Sequence, residues 1–134
     1  MRNFYIGQHS TLPELIFPIS ERFFIKNSID EDLLRRSVAT FSMVNSQDGV
    51  YYVANSPAIF EINTDPYKIS KQGKYILKYR FNRMDTAESG KFWGEFKLDI
   101  LDPNFMGNIT FPTTGKLNIF IKTSITKTDV VDNQ

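Results

Sequence analysis

From Lys74 to Ile100 the chain reads KYILKYRFNRMDTAESGKFWGEFKLDI. Its two ends alternate between apolar and polar residues, and its middle, NRMDTAESG, is a polar knot. In the first arm Tyr75, Leu77, Tyr79 and Phe81 fall on one face, with Lys78, Arg80 and Asn82 on the other. In the second arm Phe92, Phe96, Leu98 and Ile100 share a face around Gly94, while Trp93, Glu95, Lys97 and Asp99 point the opposite way. A period of two marks a strand. One apolar face per strand marks an antiparallel sheet with a wet side. The knot reads as a corner, because Asp85 and Ser89 bond nearby amides and Gly90 supplies a position with positive φ. Asp85 and Gly90 are thus the expected structural turn residues. Asp85 and Glu88 are two neighbouring carboxylates, but in a turn facing water neither is desolvated as an acid–base pair requires.

The same period extends outward. VATFSMV (Val38 to Val44) places Ala39, Phe41 and Met43 on one face. Asp48-Gly49 then signals a hairpin into VYYVA. AIFEI (Ala58 to Ile62) reads as a separate short strand, and NTDPYKISKQGK as a loop rich in turn formers. LIFPI (Leu15 to Ile19) contains Pro18 and suits an edge. KLNIFI is the last strand, with Leu117, Ile119 and Ile121 inward. SIDEDLLRRS has acids early and arginines late, which predicts a helix of at most two or three turns, with Ser28 as its candidate cap. The expected fold is all-β, an immunoglobulin-like antiparallel β-sandwich of about seven or eight strands with at most one short helix. A barrel is the competing closure. One domain is predicted over residues 1–122, followed by a polar tail or arm at 123–134.

Composition narrows the function. The 134 residues suffice for one domain with a core of its own. A hydrophobic content of 41% and an aromatic content of 14% are too high for a disordered chain. A net charge of +1 provides no field for nucleic acid or an anionic membrane, so neither is an expected partner. The absence of cysteine removes disulfides, thiolate catalysis and cysteine zinc sites. No stretch has the length of a membrane span or the pattern of a signal peptide, so synthesis in the cytoplasm is expected.

The search for chemistry is short. His9 is the only histidine and has no triad motif around it. TTGK (Thr113 to Lys116) has Thr110 where a phosphate loop needs its first glycine, and Leu117 where it needs Ser or Thr. Glu95, Lys97 and Asp99 form an alternating row typical of a solvated sheet face. No catalytic residue, cofactor or metal is expected, and the chain is not read as an enzyme. Trp93 lies on the polar side of its strand, and one of the adjacent Tyr51 and Tyr52 must also face away from the core. Aromatics so placed are candidate interface anchors, as are Phe4 and Tyr5 near the amino terminus.

Several segments in order, IGQHSTLPELIFPI, VATFSMV, DTAESGKFWGEF and ITFPTTGKLNIFI, resemble the immunoglobulin-like amino-terminal domain of phage upper-baseplate proteins of the BppU type and related tailed-phage structural proteins. The resemblance runs from about Ile6 to Ile121. It implies a virion structural protein that acts by protein–protein contact in the tail, baseplate or neck. It further implies other phage virion proteins as partners and a symmetric homo-oligomer or repeated copy as its state. In the baseplate relatives a longer carboxy-terminal part carries the receptor-binding protein, whereas this chain stops soon after the domain. That departure keeps open capsid decoration and head-fibre anchoring. A carbohydrate-binding module is the alternative from another class, and exposed aromatics on one face would favour it.

Overall fold

The computed structural model describes residues 2–124. Eight strands are present: β1 (Arg2–Gly7), β2 (Leu15–Ile19), β3 (Ser37–Asn45), β4 (Tyr51–Ile62), β5 (Tyr75–Tyr79), β6 (Gly90–Ile100), β7 (Gly107–Phe111) and β8 (Leu117–Lys122). The hydrogen-bonded path is β1-β8-β6-β3-β4-β5-β2, with β7 beside the second half of β6. The path folds over at β4. Its first part, through Ala58, pairs with β3, and Ile59–Ile62 pair with β5. The β5–β2 layer thereby lies across the β3–β6–β7 layer. Ring contacts join the two: Phe41 to Tyr79 with centroids 4.5 Å apart, Phe17 to Phe96 at 6.0 Å and Phe17 to Phe111 at 6.2 Å. The fold is an all-β sandwich.

The core is the one the alternation predicts. Phe41, Leu77, Tyr79, Phe96, Leu98 and Ile119 are all buried, as are Phe92 and Ile100. Glu95 is exposed, and Trp93, Lys97 and Asp99 are half-buried on the other side of β6. Gly94 sits on the inward side between Phe92 and Phe96 because there is no room for more. A Cβ there would lie 2.6 Å from Ile119 Cδ1 and 3.0 Å from the Phe41 ring. Gly94→Ala is therefore expected to destabilise the domain by about 1–3 kcal/mol through overpacking, measurable as a lower urea midpoint with an unchanged m-value.

Several expectations change. AIFEI and VYYVA are one strand, not two. Register shifts against β3 add residues to β4 on either side of Val53, and Asn55 takes φ 50°. These bulges bend the strand so that it serves both layers. The described residues hold three short helices, where at most one was predicted: α1 (Glu21–Lys26), α2 (Glu31–Leu34) and α3 (Pro66–Gln72). α3 falls in the segment read as loop. Asp65 accepts from the Tyr67 amide at 2.9 Å, Pro66 opens the first turn and Gly73 ends the last. α2 is a single turn, within the two or three expected at most, but its cap is Asp30, which accepts from Leu33 N at 3.0 Å. Ser28 instead has φ 59° in the link from α1.

The sheet is also not wholly antiparallel, because β1 pairs with β8 in parallel, Arg2 opposite Leu117 and Gly7 opposite Lys122. The amino-terminal segment is consequently part of the sandwich and not a free end. Ile6 is buried, and Phe4 stacks on Phe81 with centroids 5.8 Å apart. The last of the described strands, β8, ends at Lys122. Most of the predicted tail, residues 125–134, lies outside the described residues.

Candidate functional site

The polar knot is a structural joint. Asp85 is buried, against the expectation that it faces water. The Tyr79 hydroxyl donates to Asp85 Oδ2 at 2.6 Å, and the Asn82 amide donates to the same oxygen at 3.0 Å. The Asp85 amide donates back to Asn82 Oδ1 at 2.8 Å. Burial pushes the Tyr79 hydroxyl pKa upward, and its hydrogen bond to the Asp85 carboxylate adds to the rise. Thr86 is fully buried and donates to the Ser10 carbonyl at 2.9 Å, while His9 N donates to the Thr86 carbonyl. The corner thus clamps the segment after β1. Gly90 enters β6 at φ 142°, the positive-φ position expected of it. Glu88 is engaged elsewhere, accepting from the Tyr52 hydroxyl at 2.5 Å. That bond, then burial, raises the Tyr52 pKa. The two carboxylates serve different tyrosines.

The outer face of β1, β8, β6, β3 and β4 gathers the aromatics. Register sets them in two rows. In one, Tyr5 lies opposite Phe120, and Phe120 opposite Lys91. The Tyr5 and Phe120 rings stack with centroids 5.1 Å apart and planes at 15°. In the next row Asn3 lies opposite Asn118, Asn118 opposite Trp93, Trp93 opposite Val44 and Val44 opposite Tyr51. Of the five anchor candidates, Tyr5, Trp93 and Tyr51 share this face. Phe4 packs toward the core, and Tyr52 turns its ring edge-to-face onto Phe92 at 5.0 Å. Sequence reasoning did not bring Phe120, Lys116 and Ser42 together with these aromatics. Their alignment depends on inter-strand register, which single-strand periodicity does not carry.

Trp93 forms a wall of a concavity and does not project as a knob. The concavity holds about 160 Å³ and is lined by Tyr51, Val44 and Ser42 on one side and by Trp93, Glu95 and Lys116 on the other. The turn from β7 to β8, which includes Pro112 and Gly115, closes one flank. The Lys116 ammonium lies 4.3 Å from the Trp93 ring centroid. One row further along, Ser42 pairs with Glu95. The Ser42 hydroxyl oxygen accepts from the Asn55 amide at 2.9 Å, so the β4 bulge fixes its position.

The far end of the same face is apolar. Val38, Leu101 and Met106 are 48%, 60% and 76% exposed, with Phe105 beside them. Asp102 shapes this end. Its carboxylate meets Arg36 Nη1 at 2.5 Å and accepts from the Asn104 amide at 2.8 Å, while its carbonyl accepts from the Phe105 and Met106 amides. Among the described residues no group of acids and histidines is arranged to hold a metal, and no helix is long and apolar enough to cross a membrane. No family model, curated protein or solved structure matches the chain.

Proposed function

We propose that this domain is a structural module of a tailed-phage particle, an assembly or adaptor element that works by protein–protein contact in the tail, baseplate or neck. The observation that carries the contact reading is the apolar end of the outer face. Val38, Leu101 and Met106 line one shallow depression with Gly107 and Asn108 of β7, whose far edge has no strand partner among the described residues. Clustered exposed apolar side chains next to an open strand edge are what a partner covers. The Asp102–Arg36 pair anchors the turn that presents Phe105 and Met106, so the surface is preorganised and little entropy is lost on docking. The virion assignment rests on the resemblance of the strand-and-turn segments to phage upper-baseplate domains. Repeated copies around a ring or shell multiply a contact of modest area.

Particle purification tests the reading. The chain is expected to co-sediment with particles at stoichiometric copy number. Leu101→Asp and Met106→Asp, both at exposed sites, are expected to lower incorporation by about tenfold or more, the worth of an interface anchor, with the melting temperature unchanged. Absence of the chain from particles would remove the virion role. Full incorporation of both variants would move the contact to another surface.

A further inference from the structure

We infer that the concavity between Tyr51 and Trp93 is a carbohydrate site that takes a pyranose ring of an oligosaccharide. The site lies at the opposite end of the outer face from the apolar cluster and does not rest on the assembly reading. The argument starts from register. Tyr51 and Trp93 each lie opposite Val44, so their backbones are two strand spacings apart, roughly 10 Å. Val44 between them leaves a low apolar floor flanked by two aromatic walls. Next to this row stand the Ser42 hydroxyl and the Glu95 carboxylate, paired across β3 and β6.

A pyranose is amphipathic in the same way. Its C–H faces are apolar and stack on indole and phenol rings, and its rim of hydroxyls needs donors and acceptors. The concavity sets an aromatic side chain on either side and, along one rim, a carboxylate that accepts and a hydroxyl that Asn55 holds through both its amide and its side-chain oxygen. One carboxylate and one ammonium nearly cancel, so the site selects neither a strong anion nor a strong cation. Lys116 already rests on the indole, in a weak contact at an exposed position. A long exposed side chain held that weakly gives way to a ligand at low cost.

Trp93 is the only tryptophan in the chain, so its emission reports on this site alone. The full chain is titrated with hexasaccharides of glucose, of galactose and of N-acetylglucosamine. A saturable change in Trp93 emission is expected with at least one of them. Tyr51→Ala and Glu95→Gln, both at exposed positions, should each weaken Kd about tenfold, the worth of one ring contact or one charged hydrogen bond, at unchanged melting temperature. Met106→Asp, at the other end of the face, should leave Kd unaltered. Absence of saturation with all three sugars overturns the proposal, as does a signal that survives both Tyr51→Ala and Glu95→Gln. So does a Trp93 signal that appears only when the chain joins a particle, which would assign the concavity to a protein neighbour.

Discussion

Phe96→Ala is expected to destabilise the domain by about 3–5 kcal/mol, the range for a fully buried phenylalanine whose site cannot collapse. Phe96 has no exposed surface and stands where the two layers meet. Its ring lies 4.9 Å from that of Phe41 in its own layer and 6.0 Å from that of Phe17 in the other. On its own strand Gly94 and Leu98 flank it, and Phe111 pairs with it across β6–β7. Neighbours held by backbone ladders on both sides cannot move in to fill the void, so the cavity term adds to the lost burial. For a domain of this size the loss lowers Tm by roughly 10 °C or more. Thermal and urea unfolding read it, and a variant with an unchanged midpoint would refute this view of the core.

Asp85→Ala is the second large effect, expected at about 2–4 kcal/mol because it removes the carboxylate that accepts from a buried tyrosine hydroxyl and frees the corner at once. Tyr79 and Asp85 act as a pair, so the double variant Tyr79→Phe/Asp85→Ala should cost less than the sum of the two single changes. The coupling has a pH signature. Burial and the Asp85 carboxylate raise the Tyr79 pKa in the folded state above its unfolded value of about 10. The folded protein therefore holds that proton to higher pH than the unfolded chain. Its contribution is complete below about pH 10 and is lost as pH rises from there toward the folded value. Urea midpoints measured from neutral to alkaline pH should fall in the wild type, and Tyr79→Phe should remove that part of the fall. Equal alkaline slopes in the two proteins would show that the bond does not couple to folding.

What was legible in the sequence was what one strand can say about itself. Period two placed Phe41, Leu77, Phe96 and Ile119 inward and Trp93 outward, because a pleat leaves a side chain only two directions. Pro18 marked an edge strand, and β2 is one end of the sheet path. The polar knot was legible as a corner, but the burial of Asp85 was not, since it depends on Tyr79 arriving from the end of β5. The helix α3 was written locally, as Asp65, Pro66 and Gly73 in order. Its turn-forming composition masked it, because the residues that cap a helix are those that build loops. The concavity was least legible. Its walls come from β4 and β6 with β3 between them, and the bulges of β4 decide which tyrosine faces outward. Those alignments are long-range facts, set by packing and not by propensity.

The parallel pairing of β1 with β8 bears on how the domain carries force. The chain enters β1 beside the start of β8 and leaves β8 beside the end of β1. Tension applied where the chain enters β1 and where it leaves β8 therefore pulls the two strands lengthwise in opposite senses. The ladder from Arg2 to Gly7 is loaded in shear, with its bonds sharing the strain together, whereas a hairpin pulled at its open end would part them one at a time. Under such a load the lifetime of the joint is set by the rate of forced opening and not by the equilibrium free energy of folding. A domain strung between two neighbours along this axis would behave as a stiff link in a chain under tension.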